Sequence, residues 1–129
     1  MTRAIGTDII KIARFTEMTP HFMARVFTEG ERAYLLKKSN PATAAGLFAA
    51  KEAVAKALGT GFRGFWPQDI EIWHDALGKP RVRLHHQADK RARKITGRAR
   101  RGYRVQVSIS HTDTDALAFA LIAPARSCR

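Results

Sequence analysis

Acidic residues are scarce in this sequence. It holds 11 Asp and Glu against 23 Lys and Arg, for a formal net charge of +12. Such a chain attracts polyanions through its summed field: nucleic acid, phosphorylated small molecules, anionic membrane or acidic protein. Cysteine is almost missing. Cys128 alone excludes an internal disulfide and any cysteine-built zinc site, and it suits a reducing cytosol. No apolar run approaches the roughly 20 residues that a membrane span needs. The opening stretch MTRAIGTDIIKIARF lacks an unbroken apolar core and a small-residue cleavage site, so no signal peptide is expected. There is no Gly-x-Ser-x-Gly elbow, no Walker loop and no dinucleotide fingerprint. The histidines at 21, 74, 85, 86 and 111 include no helical pair at ligand spacing, and His85 and His86 would point to opposite faces of a strand. Zinc is therefore not expected. Without repeats or low-complexity linkers, residues 1–129 read as a single domain whose end, Pro124 to Arg129, is expected to fray.

What is present centres on FAAKEAVAKALGTG, Phe48 to Gly61. Asn40 and Pro41 form a cap and first-position signal for a helix. The apolar pattern runs through Ala44, Leu47, Phe48, Ala49 and Val54 to Leu58, and Gly59 and Gly61 bracket Thr60 to end it. A helix this rich in alanine and valine is built to be buried, yet it carries Lys51, Glu52 and Lys56. An unpaired buried carboxylate is costly, so Glu52 needs a cation, a metal or a proton donor. Lys56 stands four residues on, in the favourable order, but such a pair contributes only about 0.3–0.5 kcal/mol. That does not justify burying both. Lys51 points to another face and is expected to snorkel to solvent.

Ala4 to Ile12 is apolar and β-branched around Asp8 and reads as a first strand, with helix as the second choice. Gly6 there lets something approach the backbone closely. Asp8 is either a strand-end residue that caps the next turn or a functional acid. Lys11 to Phe27 mixes basic and bulky apolar side chains, with Pro20 starting a short helix. It is either a docking surface for an acidic helix or an amphipathic element with a solvated basic face. Thr28 and Glu31 form a capping box before a helix to about Lys37, with Ala33, Leu35 and Leu36 inward. The helix dipole accounts for Glu29 and Glu31.

Phe62 to Pro67 reads as a loop. Asp69 to His74 and Arg81 to His85 alternate as a hairpin around Gly78-Lys79-Pro80, with Ile70, Ile72, Val82 and Leu84 inward. Gln87 to Ile95 is a basic helix, and Lys90 to Arg104 carries cations with no acid. That cluster supports a second reading of the chain as a nucleic-acid-binding module. Only Tyr103 stands near it for stacking, however, and a solvated face or an acidic partner accounts for it too. Tyr103 to His111 alternates as a strand, Thr112 to Asp115 turns, and Ala116 to Ala123 returns as an apolar strand.

Asp8 and Glu52 are thus two carboxylates in apolar settings. One or two carboxylates plus substrate phosphates is a common way to hold Mg²⁺. Lys56 could reach a phosphate oxygen beside such an ion. The turn Gly59, Thr60 and Gly61 could lay backbone N–H groups against a phosphate or ribose. The pattern points to metal-assisted chemistry on a pyrophosphate.

Three blocks resemble the holo-[acyl-carrier-protein] synthases, small bacterial-type 4′-phosphopantetheinyl transferases. They are IGTDII at Ile5 to Ile10, FAAKEAVAKALGTG at Phe48 to Gly61 and VSISH at Val107 to His111; RVFTEGE from Arg25 and GKPRV from Gly78 are also similar. The resemblance implies an α/β (α+β) fold of the 4′-phosphopantetheinyl transferase type, an antiparallel sheet beside a long central helix. It implies an enzyme that moves the 4′-phosphopantetheine of coenzyme A onto a serine of apo-acyl carrier protein and releases adenosine 3′,5′-bisphosphate. Asp8 and Glu52 match metal-ligand positions for Mg²⁺. Lys56 matches a lysine near the coenzyme A phosphates, and His111 a histidine of the same site that contacts phosphate or assists the chemistry. Gly59 to Gly61 and Pro80 fall in segments bordering the nucleotide. Arg14 and Arg25 lie where the acidic recognition helix of the carrier protein docks. A cytoplasmic homotrimer with active sites between subunits is implied, engaging neither membrane nor nucleic acid. Leu47 stands where many members have a basic residue, Thr7 replaces an apolar one, and the basic segment Gln87 to Gly102 has no counterpart role.

Overall fold

The computed structural model describes residues 3–126. Met1, Thr2 and the last three residues of the expected frayed tail, Ser127, Cys128 and Arg129, lie outside them. Eight residues of alternating burial form β1 (Ala4–Lys11), followed by a 3₁₀ turn at Ile12–Phe15. Then come α1 (Pro20–Val26), α2 (Glu29–Lys38) and the long α3 (Pro41–Ala57). A second 3₁₀ turn at Pro67–Asp69 leads into the hairpin of β2 (Ile70–His74) and β3 (Pro80–Leu84). After α4 (His86–Ile95), β4 (Tyr103–His111) and β5 (Asp115–Pro124) complete the chain.

Most helix starts follow from their caps. Thr19 accepts from the Phe22 N–H, and Asn40 from the Ala42 N–H, each before a proline. Thr28 and Glu31 make the expected capping box. The β4–β5 hairpin turns where expected, but β5 continues to Pro124, and the Ala125 N–H donates to Gly102. The chain is therefore still tied down where fraying was expected to begin.

The larger sheet has the antiparallel order β1-β5-β4, and β2-β3 forms a separate two-stranded sheet. Strand β5 turns Ala116, Ala118 and Ala120 toward α3, all fully buried, and α3 answers with Ala49, Ala50 and Ala53. Small residues on both sides let the helix lie close against the sheet. Gly6 marks the tightest point. A Cβ there would stand 2.0 Å from the Ala53 carbonyl oxygen, so only glycine fits. Helix α3 crosses the sheet obliquely: Ala53 and Ala57 lie over β1, whereas a Cβ on Gly46 would sit 2.9 Å from Ile109 of β4.

The opposite face of this sheet carries an uncovered apolar patch on β1 and β5, beside the polar Arg104, Gln106, Ser108 and Ser110 of β4. Ile5 and Ile9 are 63% and 66% exposed, and Leu117 and Phe119 are 46% exposed each.

Three local expectations need correction. Lys51 does not snorkel. It is fully buried, its Nζ 2.7 Å from Glu31 Oε1, and it donates to the Pro67 and Ile70 carbonyls. Burial pushes the pKa of this ammonium down, against the opposing pull of Glu31. Glu31 is therefore more than a cap, since its Oε2 also accepts from the Ile72 N–H. In α2, Ala33 and Leu36 face solvent and Leu35 alone of the three is buried. Finally, His85 and His86 do not share a strand: His85 caps α4 and bonds Glu71, and His86 opens the helix.

Candidate active site

Strand β1 and the second half of α3 bring three of the expected residues together. Asp8 faces the helix in the same row as Gly6 and Ile10. Lys56, on the exposed edge of α3, donates to Asp8 Oδ1 at 3.1 Å. It does not pair with Glu52 along the helix. Glu52 is half-buried and has no hydrogen-bond or ion-pair partner among the described residues. Burial raises its pKa, the Asp8 charge raises it further, and Lys56 and Arg14 pull it back. Two carboxylates and one lysine thus converge on one spot, with Arg14 close enough to be felt.

One turn before Glu52, Phe48 leads into an aromatic cluster. Its ring centroid is 5.4 Å from that of Phe15 and 6.4 Å from that of Phe22. A cavity of about 600 Å³ opens beside it, lined by Phe22, Arg25, Phe48, Phe62, Phe65 and Trp66. No sequence motif announced this cavity, because its aromatic rings come from three separate segments.

The glycine turn first serves the end of its own helix. The Gly59 N–H donates to the Lys56 carbonyl and the Gly61 N–H to that of Ala55, and Arg91 Nε donates to the Leu58 carbonyl. These bonds satisfy the orphan carbonyls at the end of α3. Both glycine amides are therefore engaged, and of the three amides in the turn that of Thr60 alone has no partner among the described residues. Positive φ at both glycines, +85° and +59°, is what this turn requires.

His111 and Pro80 meet elsewhere. They line a cavity of about 500 Å³ with Leu47, Ser108 and a stacked Tyr34–His74 pair whose centroids are 4.1 Å apart. This second cavity lies over β4, beside the first half of α3. Asp8, Glu52 and Lys56 lie over β1, beside the second half. Buried Ala116 and Ala118 of the central strand, with α3 packed on them, separate the two groups within one chain.

Among the described residues no group of three or more His, Cys, Asp or Glu could hold a metal together. Asp8 and Glu52 therefore offer two carboxylates and no more. That donor set suits a hard cation that fills its other positions with water and phosphate oxygens. A half-buried carboxylate without a cation, beside a second one, fits such an ion.

The model of the 4′-phosphopantetheinyl transferase superfamily matches residues 4–108. The chain belongs to that superfamily. A holo-[acyl-carrier-protein] synthase of Clostridium botulinum (strain Alaska E43 / Type E3) is 48% identical over 126 residues, covering 95% of this chain and 98% of its relative. The solved holo-[acyl-carrier-protein] synthase of Neisseria meningitidis is 35% identical with a TM-score of 0.76, over 92% of this chain and 96% of that one. That of Bacillus anthracis str. Ames, solved in complex with CoA (3′,5′-ADP), is 33% identical with a TM-score of 0.73, over 92% and 94%. These likenesses give the chain the fold of the solved holo-[acyl-carrier-protein] synthases, with antiparallel sheets and packed helices.

Proposed function

We propose that this chain is a holo-[acyl-carrier-protein] synthase, transferring 4′-phosphopantetheine from coenzyme A to a serine of apo-acyl carrier protein. The observation that carries the reading is Glu52, half-buried beside Asp8 with no cation of its own, inside the segment that the superfamily model matches. Asp8 and Glu52 would hold Mg²⁺. A bound Mg²⁺ supplies charge neutralisation at the oxygens of the pyrophosphate. Lys56, about half exposed, is free to move from Asp8 to a phosphate oxygen and screen charge there. The carrier serine hydroxyl attacks the β-phosphorus, the bond from that phosphorus to the bridging oxygen breaks, and adenosine 3′,5′-bisphosphate leaves. The hydroxyl proton passes to a neighbouring base, for which Glu52 and His111 are the candidates.

Arg25 lines the aromatic cavity and the charge of Arg14 is felt at Glu52, which supports their role in docking an acidic carrier beside the site. Pro80 and His111 border the nucleotide in this reading, as does the turn Gly59 to Gly61, in which the Thr60 N–H is the amide left to donate. The separation of His111 from Asp8 within one chain, with the uncovered face of Ile5, Ile9, Leu117 and Phe119, supports a homotrimer whose sites form between subunits. No helix among the described residues is long and apolar enough to cross a membrane; work in the cytoplasm is part of the same proposal. The direct test of the metal pair is Glu52→Gln, which should abolish Mg²⁺-dependent transfer. Near-wild-type turnover by that variant would refute the assignment.

A further inference from the structure

The proposed reaction does not use the strongest charge concentration in the chain. Helix α4 buries Ala88 and Ala92 and turns Gln87, Lys90, Arg91 and Lys94 outward. That spacing sets them on one stripe of the helix. Across from the stripe stand Thr60 and Arg63, and between them lies a groove of about 510 Å³. No carboxylate lines it. Arg91 and Arg93 are engaged, the first by the Leu58 carbonyl and the second by Asp89. Arg63, Lys90, Lys94 and Arg98 are exposed and have no ion-pair partner among the described residues.

Arg98 is a second, independent observation. Its φ is +54°, in the left-handed region where side chains are disfavoured. Its N–H donates to the Arg93 carbonyl, 2.9 Å away, which closes the end of α4. Glycine or asparagine would do this at less strain. An arginine held there, lining the groove, marks a position where the side chain matters more than backbone ease.

The groove adjoins the aromatic cavity, because Gly64 and Phe65 line both. The cavity, which Phe48 lines one helical turn before Glu52, and the basic stripe thus lie on either side of Gly64 and Phe65. We infer that this groove binds an acidic segment of the same protein substrate whose serine enters the Asp8–Glu52 site, so that docking extends from α1 to α4. The inference rests on the function proposed above. A nucleic acid fits less well, since the only aromatic ring lining the groove is Phe65, 7% exposed and unavailable for stacking on bases.

The test uses the full chain, coenzyme A, Mg²⁺ and an apo-acyl carrier protein as the probe. In the triple variant Lys90→Gln, Lys94→Gln, Arg98→Gln, KM for the carrier should rise roughly tenfold at low ionic strength, with KM for coenzyme A unchanged. At about 0.5 M salt the difference should collapse, because the screening length falls to a few Å. Arg98→Gly removes one charge and relaxes the backbone, so it should raise carrier KM by a smaller factor while leaving the melting temperature unchanged or higher. Wild-type transfer with an unaltered carrier KM in both variants overturns the inference and leaves the proposed function standing. So does salt-sensitive oligonucleotide binding that the triple variant loses while its carrier KM stays put, which assigns the groove to nucleic acid. No transfer by the wild type to any carrier overturns the proposed function and this inference with it.

Discussion

Lys56 donates to Asp8 at 3.1 Å and leaves Glu52, one helical turn away, without a cation. The three residues form an arrangement that is uncomfortable until something positive arrives. Glu52 has its pKa raised by burial and then by Asp8. Its ionised form is therefore less welcome in the folded chain than in the unfolded one. That cost is fully present above the folded pKa and disappears as pH falls toward the unfolded value of about 4.3.

Glu52→Gln should accordingly melt at a higher temperature than the wild type at neutral pH without metal. The gap should close as the pH is lowered into the ordinary carboxylate range. Millimolar Mg²⁺ should raise the melting temperature of the wild type and not that of the variant. Scanning calorimetry across pH, with and without Mg²⁺, reads both effects, and a variant less stable at pH 7 contradicts the unmet-charge account.

Lys51 and Glu31 are the opposite case, a buried pair in which every polar atom is used. Lys51→Met leaves Glu31 buried without its cation and strips the Pro67 and Ile70 carbonyls of their donor. The expected loss is about 3–5 kcal/mol, measured by urea unfolding. Adding Glu31→Gln to Lys51→Met should recover part of that loss, because no unpaired charge remains. A loss for Lys51→Met below about 1 kcal/mol would show that the pair is not what ties α2, α3 and β2 together.

If the site is shared between subunits, two dead variants should help each other. Mixing Glu52→Gln with His111→Ala, after subunit exchange, should restore part of the activity that neither has alone. Phe119→Asp, on the uncovered sheet face, should lower the sedimenting mass and the activity together. Full activity in a monomeric Phe119→Asp chain would contradict the shared site.

Much of this fold was legible because its signals are local. The Asn40–Pro41 start of α3, the capping box of Thr28 and Glu31, and the alternation of Tyr103 to His111 each depend on a few neighbouring residues. Gly6 was legible as a point of close approach, though not which backbone approaches it. Lys51 was misread because charge outweighed position. Leu47, Lys51, Val54 and Leu58 recur at helical spacing on one buried face, and that spacing already placed the ammonium inside. The glycine turn reads in one dimension as three free amides. Only the folded chain shows those of Gly59 and Gly61 bonded to the Lys56 and Ala55 carbonyls. Asp8 and Glu52 could be suspected singly from their apolar settings. The separation of His111 from them depends on how α3 crosses the sheet, and no local pattern encodes that angle.

Transfer itself is measured by incubating the chain with coenzyme A, Mg²⁺ and an apo-acyl carrier protein and reading the intact mass of the carrier. The carrier should gain one phosphopantetheine unit at a serine, dependent on Mg²⁺, with adenosine 3′,5′-bisphosphate released in equal amount. An unchanged carrier mass with fatty-acid and polyketide carriers alike would contradict the proposed function.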